Sequence, residues 1–150
     1  MVGIRDLANH IIKVASDEKT DITNLQLQKI MFFIFGKNLD DVHKGKVTTK
    51  IVYDLPFSRW TYGPVVEDIY YSYNVFGPNP IQDVHATDNK KLDTYNEYIL
   101  KFLKVDPFEL VEITHRLPSW NDYRDDILAR RYVPPYKEEE IAKEFVQKDD

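Results

Sequence analysis

The chain contains no cysteine. Without a thiol there is no disulfide frame, no cysteine-held zinc or iron–sulfur centre and no thiol nucleophile, and the expected compartment is the reducing cytoplasm. Glycine is nearly as scarce: Gly3, Gly36, Gly45, Gly63 and Gly77 never come closer than nine positions. A phosphate-cradling loop and a dinucleotide fingerprint both need clustered glycines, so neither can be written. The four histidines, His10, His43, His85 and His115, are at least 30 positions apart, which removes paired histidine ligands on one helix. None of the serines, Ser16, Ser58, Ser72 and Ser119, falls in a nucleophile elbow. The longest apolar run, Ile30 to Phe35, is far short of the roughly 20 residues of a membrane span, and the amino terminus shows no signal-peptide pattern.

What is present is 150 residues with 43% hydrophobic and 13% aromatic content. A single domain of this size buries about two thirds of its unfolded surface and holds a core without staples. The 20 basic and 25 acidic residues leave a net charge of −5, which disfavours phosphate backbones.

The spacing of Ile4, Leu7, Ala8, Ile11, Ile12 and Ala15 predicts a first helix over 3–16. Thr23-Asn24-Leu25-Gln26 has the form of a capping box, so a second helix is expected to start there and to run to about Gly36. Its density of Leu, Ile, Met and Phe marks it as central. Val47 to Tyr53 suits a short extended element, ended by Pro56. Gly63-Pro64 reads as a helix start followed by Val65, Val66, Ile69, Tyr70 and Tyr73, and Gly77-Pro78 as its stop. A fourth helix is expected through Leu92, Tyr95, Ile99, Phe102 and Leu103. A fifth opens at the cap Asp106-Pro107 and carries Leu110, Ile113 and Leu117; a short sixth, capped by Ser119, runs through Ile127. The expectation is a mainly α, single compact domain of about six to seven helices with a minor extended or β element around 47–60. It occupies residues 1–132, with a charged helix or tail over 133–150.

Candidate chemistry is sparse. Glu112 and His115 have the spacing of one half of a di-iron site, but no second Glu-x-x-His exists, and a packed helix-end histidine is preferred. The adjacent pairs Asp40-Asp41, Glu67-Asp68 and Asp125-Asp126 point about 100° apart on a helix and form no catalytic dyad. The first two helices imitate a helix-turn-helix, yet the second is too apolar to read base edges. Arg124, Arg130 and Arg131 are read as complementing a helix C-terminus.

Two stretches stand out. Phe57-Ser58-Arg59-Trp60-Thr61-Tyr62-Gly63-Pro64-Val65-Val66 leads three aromatics into a Gly-Pro step, and Thr114-His115 is followed by Trp120 after a helix break. Such aromatics either wedge a segment onto the core or form an interface hot spot, and the residues alone leave both open. Together with Leu27-Gln28-Lys29, these segments resemble the Panacea domain, the SocA-like antitoxin family that includes phage-associated proteins; the resemblance covers about Ile4 to Tyr132. Family members often carry a tyrosine after Leu-Gln-Lys, where this chain has Met31, Phe32 and Phe33. Alanine is common before the tryptophan, where Arg59 places a cation on one prospective contact face.

The resemblance implies a cytoplasmic, helical, non-enzymatic module, without cofactor or metal, that neutralises a cognate toxin or binds a phage or host protein. Its candidate partner-binding or motif residues are Gln28, Lys29, Arg59, Trp60, Tyr62, Gly63, Pro64, His115 and Trp120, with Leu27, Phe33, Val65 and Trp60 expected in the core. Self-association stays open. The competing reading is a phage-encoded regulator of host or phage transcription, acting through DNA or another regulatory protein.

Overall fold

The architecture follows from one very apolar helix around which everything else is laid. The structure, a computed structural model, describes residues 1–147; residues 148–150 of the expected tail lie outside the described residues. Eight α-helices and two small two-stranded sheets occur among the described residues. Helix α1 (Ile4–Asp17) buries Ile4, Leu7, Ala8, Ile11, Ile12 and Ala15 on one stripe. Helix α2 (Asn24–His43) opens at the expected capping box: the Gln26 N–H donates to Thr23 Oγ1 at 3.2 Å, and the Thr23 N–H donates to Gln26 Oε1 at 2.9 Å.

Helix α2 does not stop near Gly36 but continues for two further turns. Gly36 is an interior helical position that the packing keeps small, because an added Cβ would stand only 2.4 Å from Phe145 Cγ and 2.5 Å from Phe145 Cδ1. The polar extension is held by Lys37–Asp41 and Lys44–Asp40 pairs one turn apart. It is also held by Asn38, which accepts from Ile51 N at 2.8 Å and donates to Thr49 O at 2.9 Å.

The extended element expected around 47–60 is present as two short strands, of which β2 (Ile51–Val52) pairs in parallel with β1 (Val2–Gly3). The larger departure comes next. No helix starts at Gly63-Pro64; instead β3 (Phe57–Trp60) and β4 (Gly63–Val66) form an antiparallel hairpin with Trp60 opposite Gly63. Gly63 adopts φ +96° just past the Thr61-Tyr62 turn, a conformation that favours glycine. Pro64 faces Arg59 in the register; having no N–H, it fits a position where the ladder makes no bond, with its carbonyl turned away from β3. Helix α3 (Glu67–Tyr73) begins only after the hairpin and passes into a short 3₁₀ turn.

The expected fourth helix is divided into a 3₁₀ segment (Lys90–Tyr95) and α4 (Asn96–Leu103). Helix α5 (Pro107–Arg116) starts as expected, with Asp106 accepting from Phe108 N at 2.9 Å and Pro107 in the first turn. Its buried face is Leu110, Val111 and Thr114, while Ile113 is exposed. The expected sixth helix is two, α6 (Pro118–Asn121) and α7 (Arg124–Leu128). Ser119 is not their cap: it lies inside α6, and its N–H and hydroxyl both donate to the Glu144 carboxylate.

Helix α8 (Glu138–Phe145) packs on α2 through the buried Ile141 and through Phe145, whose ring meets Phe32 edge to face at 5.5 Å. Phe32 also contacts Phe57 at 5.3 Å and Tyr136 at 5.4 Å. One ring of α2 thus joins the hairpin, the segment after α7 and α8.

A glycine-to-alanine change within a helix ordinarily adds about 1 kcal/mol of stability. Gly36→Ala is expected to do the reverse, lowering unfolding free energy by about 1–3 kcal/mol through overpacking against Phe145. Denaturant titration combined with amide exchange in α8 checks this; a more stable variant with unchanged α8 protection would contradict the packing described.

Candidate functional site

Both edges of the β3–β4 hairpin are closed by groups from elsewhere in the chain. On the β4 side, α2 supplies two consecutive side chains. Gln28 Oε1 accepts from Val66 N at 2.8 Å, and Lys29 Nζ donates to Pro64 O at 2.7 Å. Gln28 is fixed in turn by Asn24, whose Oδ1 accepts from Gln28 Nε2 at 3.1 Å and whose Nδ2 donates to Tyr70 O at 3.1 Å. On the β3 side, Phe57 N donates to Tyr53 Oη at 2.8 Å and Phe57 O accepts from Tyr136 N at 2.8 Å. These groups satisfy buried peptide atoms that a third strand would otherwise satisfy.

The turn is held from the α5–α6 corner. His115 Nε2 donates to Thr61 O at 2.9 Å, and Trp120 Nε1 donates to Trp60 O at 2.9 Å. The two rings stack with centroids 3.7 Å apart and planes inclined by 16°. Burial holds the His115 imidazole below its ordinary pKa, with Arg124 and Lys29 adding to the depression. Glu112 pairs with Arg116 at 3.5 Å, and His115 already spends one ring nitrogen on a peptide carbonyl. Among the described residues no group of three or more His, Cys, Asp or Glu is placed to hold a metal. Gly63 completes the close fit, since a Cβ there would stand 2.5 Å from Thr114 Oγ1 and 3.2 Å from Lys29 Cε.

Arg59 does not present a cation to a contact face. Its side chain is buried, with Nε donating to Ser119 O at 2.6 Å, Nη1 to Pro134 O at 2.7 Å and Nη2 to Glu140 at 2.6 Å. The guanidinium lies over the rings of Tyr123 and Tyr136, at 4.0 and 4.4 Å. It fastens β3 to α6, α8 and the segment between α7 and α8.

The outer face of the clamped hairpin forms a wall of a groove of about 830 Å³. The start of α2 supplies Leu25, the hairpin Trp60, Tyr62 and Val65, the start of α5 Phe108, and the end of α7 Ile127 with Arg130 and Arg131. Trp60 packs edge to face on Tyr70 at 4.9 Å, and Tyr62 meets Phe108 at 6.4 Å. Tyr62 is 58% and Phe108 59% exposed, more than ordinary packing leaves to large rings.

The candidate residues therefore divide. Gln28, Lys29, Arg59, Gly63, Pro64 and Trp120 are buried and hold the hairpin, and His115 is half-buried in the same clamp. Trp60 and Tyr62 face the groove; Trp60, expected in the core, is half-buried, whereas Leu27 and Phe33 are core as expected; Val65, also expected in the core, is buried but lies on the groove side of the hairpin. Sequence reasoning missed Leu25, Tyr70 and Phe108 as groove residues. Phe108 carried a usable signal, since it lies off the apolar stripe of its helix. Arg130 and Arg131 follow the C-cap of α7 at Ala129 and line the groove.

The family model described as antitoxin SocA-like, Panacea domain matches residues 27–121. No curated protein and no solved structure gives a significant match to the chain. The matched span begins at Leu27 and ends just after Trp120, enclosing the clamp from its α2 side to its α6 side.

Lys29 gives the clamp a pH signature. Full burial pulls its ammonium from 10.5 down to about 7. Between these values the unfolded chain binds a proton that the folded chain does not, so stability rises with pH from about 7 toward 10. Above pH 10 the buried tyrosines, held above their ordinary value, reverse the slope. Lys29→Met, which keeps the stem and removes the titration, is expected to flatten the rise by a few kcal/mol. Denaturant unfolding of both proteins from pH 6 to 10 decides it, and parallel curves would mean that Lys29 does not carry the effect.

Proposed function

The chain belongs to the antitoxin SocA-like, Panacea domain family, and we propose that it is a protein-binding module whose groove grips a partner toxin and neutralises it by direct binding. The observation that carries this reading is the pair of large, mostly exposed rings of Tyr62 and Phe108 beside the half-buried Trp60, gathered around one groove against a hairpin fixed from both edges. Tryptophan, tyrosine and arginine are the residue types that dominate interface energetics, and a pre-set hairpin loses little freedom on binding.

The lining combines aromatic, aliphatic and arginine side chains, the make-up of a protein contact surface, and we take the module to act by binding. The partner would be a toxin encoded beside this chain in a bacterial or prophage genome, met in the cytoplasm. The transcriptional-regulator reading finds less support, because only Arg130 and Arg131 turn a basic group outward along the groove. No described helix is long and apolar enough to cross a membrane.

Co-expression with the product of an adjacent toxic gene tests the proposal. The wild-type chain is expected to restore growth. The double variant Tyr62→Ala, Phe108→Ala is expected to lose that rescue while its unfolding free energy stays within about 1 kcal/mol, since both rings are mostly exposed. Trp120→Ala should instead lose about 3–5 kcal/mol, because the buried indole both packs and donates to Trp60 O. Full rescue by the double variant would remove the groove from the interaction.

A further inference from the structure

The groove is a local reversal of the molecule's charge. A chain with 25 acidic and 20 basic residues lines this surface with Arg59, Arg130 and Arg131 and with no carboxylate. Arg59 is buried and already engaged by three acceptors within the chain. Arg131 pairs with Asp126 at 3.1 Å across an exposed contact, where competition from water and salt leaves little net binding. Arg130 is exposed and has no carboxylate within 4.0 Å among the described residues. Two arginines thus stand at the rim of a slot whose walls are Leu25, Val65, Trp60 and Phe108.

We propose that the groove takes a segment of the partner protein in which a large aliphatic or aromatic side chain stands beside Asp or Glu carboxylates. This rests on the reading of the groove as the partner-binding face and adds the chemistry of what enters it. The apolar side chain would fill the slot between Trp60 and Phe108, and the carboxylates would meet the guanidinium groups of Arg130 and Arg131. Planar, charge-assisted pairing of that kind adds orientation as well as attraction.

Charge placement favours a peptide over a nucleic acid. Two outward arginines can neutralise only two phosphates, few for a nucleic-acid site on a chain of net charge −5. The volume of about 830 Å³ likewise suits a few side chains.

The backbone at Arg130 supplies a clean test. Its φ is +58°, and it sits one residue past the C-cap of α7. Arg130 N donates to Ile127 O at 3.1 Å and Arg131 N to Asp126 O at 2.9 Å, the bond pair of a Schellman ending. Glycine is the residue that position favours, so Arg130→Gly deletes the side chain while easing the backbone. Lys19 ends α1 in the same way, at φ +53°, so the conformation by itself implies nothing about binding.

The experiment is a selection of random 16-residue displayed peptides on the full chain at moderate salt, followed by affinity measurements on Arg130→Gly and on Arg130→Glu, Arg131→Glu. The expected peptides combine a large apolar residue with two or more acidic ones. Their affinity should fall about tenfold in Arg130→Gly, whose melting temperature is not lowered, and further in the double charge reversal. Enrichment of neutral or basic peptides, no enrichment at all, unchanged affinity in Arg130→Gly, or displacement of the selected peptides by a short duplex DNA or RNA would each overturn the proposal. Neutralisation assays separate the two levels. If only the charge chemistry is wrong, Arg130→Gly keeps toxin rescue and Tyr62→Ala, Phe108→Ala loses it; if the groove reading is wrong, both keep it.

Discussion

Two consecutive side chains of α2, Gln28 and Lys29, do for β4 what a neighbouring strand would do, and the rest of the site depends on that substitution. A two-stranded hairpin is marginal by itself, since each strand leaves half its peptide groups unpaired. Here the outward N–H of Val66 and the outward carbonyl of Pro64 are met by an amide and an amine reaching from the most buried helix of the molecule. The lysine is well chosen for the task. Its long apolar stem crosses the core and passes Gly63, and its amine can donate to Pro64 whether or not it holds the third proton. With β4 fixed to α2 and β3 fixed through Phe57 and Arg59, the turn at Thr61-Tyr62 is a rigid edge.

That rigidity assigns different work to residues that look alike in the sequence. Trp60 and Trp120 are both tryptophans in aromatic-rich segments, but Trp120 is buried behind the hairpin and donates to the Trp60 carbonyl, while the Trp60 ring faces the groove. Arg59 and Arg130 are both arginines of the same groove lining, but Arg59 is enclosed by two tyrosines and three acceptors, and Arg130 stands in solvent. The residues that hold the hairpin and the residues exposed around the groove are therefore distinct sets, so the exposed ones can be changed without loosening the hairpin.

Much of the scaffold was legible in the sequence. The stripe of α1, the capping box at Thr23, the apolar density of α2 and the Asp106-Pro107 start of α5 all rest on local rules, and all appear where those rules put them. The hairpin was misread because Gly63-Pro64 satisfies the local rule for a helix start. What overrides it is tertiary: the acceptor Gln28 and the donor Lys29 on α2, which lie 38 and 35 positions from their partners Val66 and Pro64 in sequence. The length of α2 was misjudged for a similar reason, since Gly36 ends nothing and only makes room for Phe145. At the site, the aromatic motif pointed to the right hairpin, but no periodicity distinguishes a ring that faces the core from one that faces a groove. The arginines beyond α7 were visible as a cluster, and only the fold brings them opposite Leu25 and Trp60.

The central claim is that the Leu-Gln-Lys segment acts by holding the hairpin, and amide exchange at Val66 tests it most directly. In the native protein its N–H, bonded to Gln28 and buried, should exchange only through global unfolding, with protection close to that of the α2 core. In Gln28→Leu, which keeps the volume and removes the acceptor, protection at Val66 and through the Thr61-Tyr62 turn should fall well below that of α2. A Val66 amide that exchanges like a loop amide in the native protein, or one equally protected in both proteins, would contradict the account.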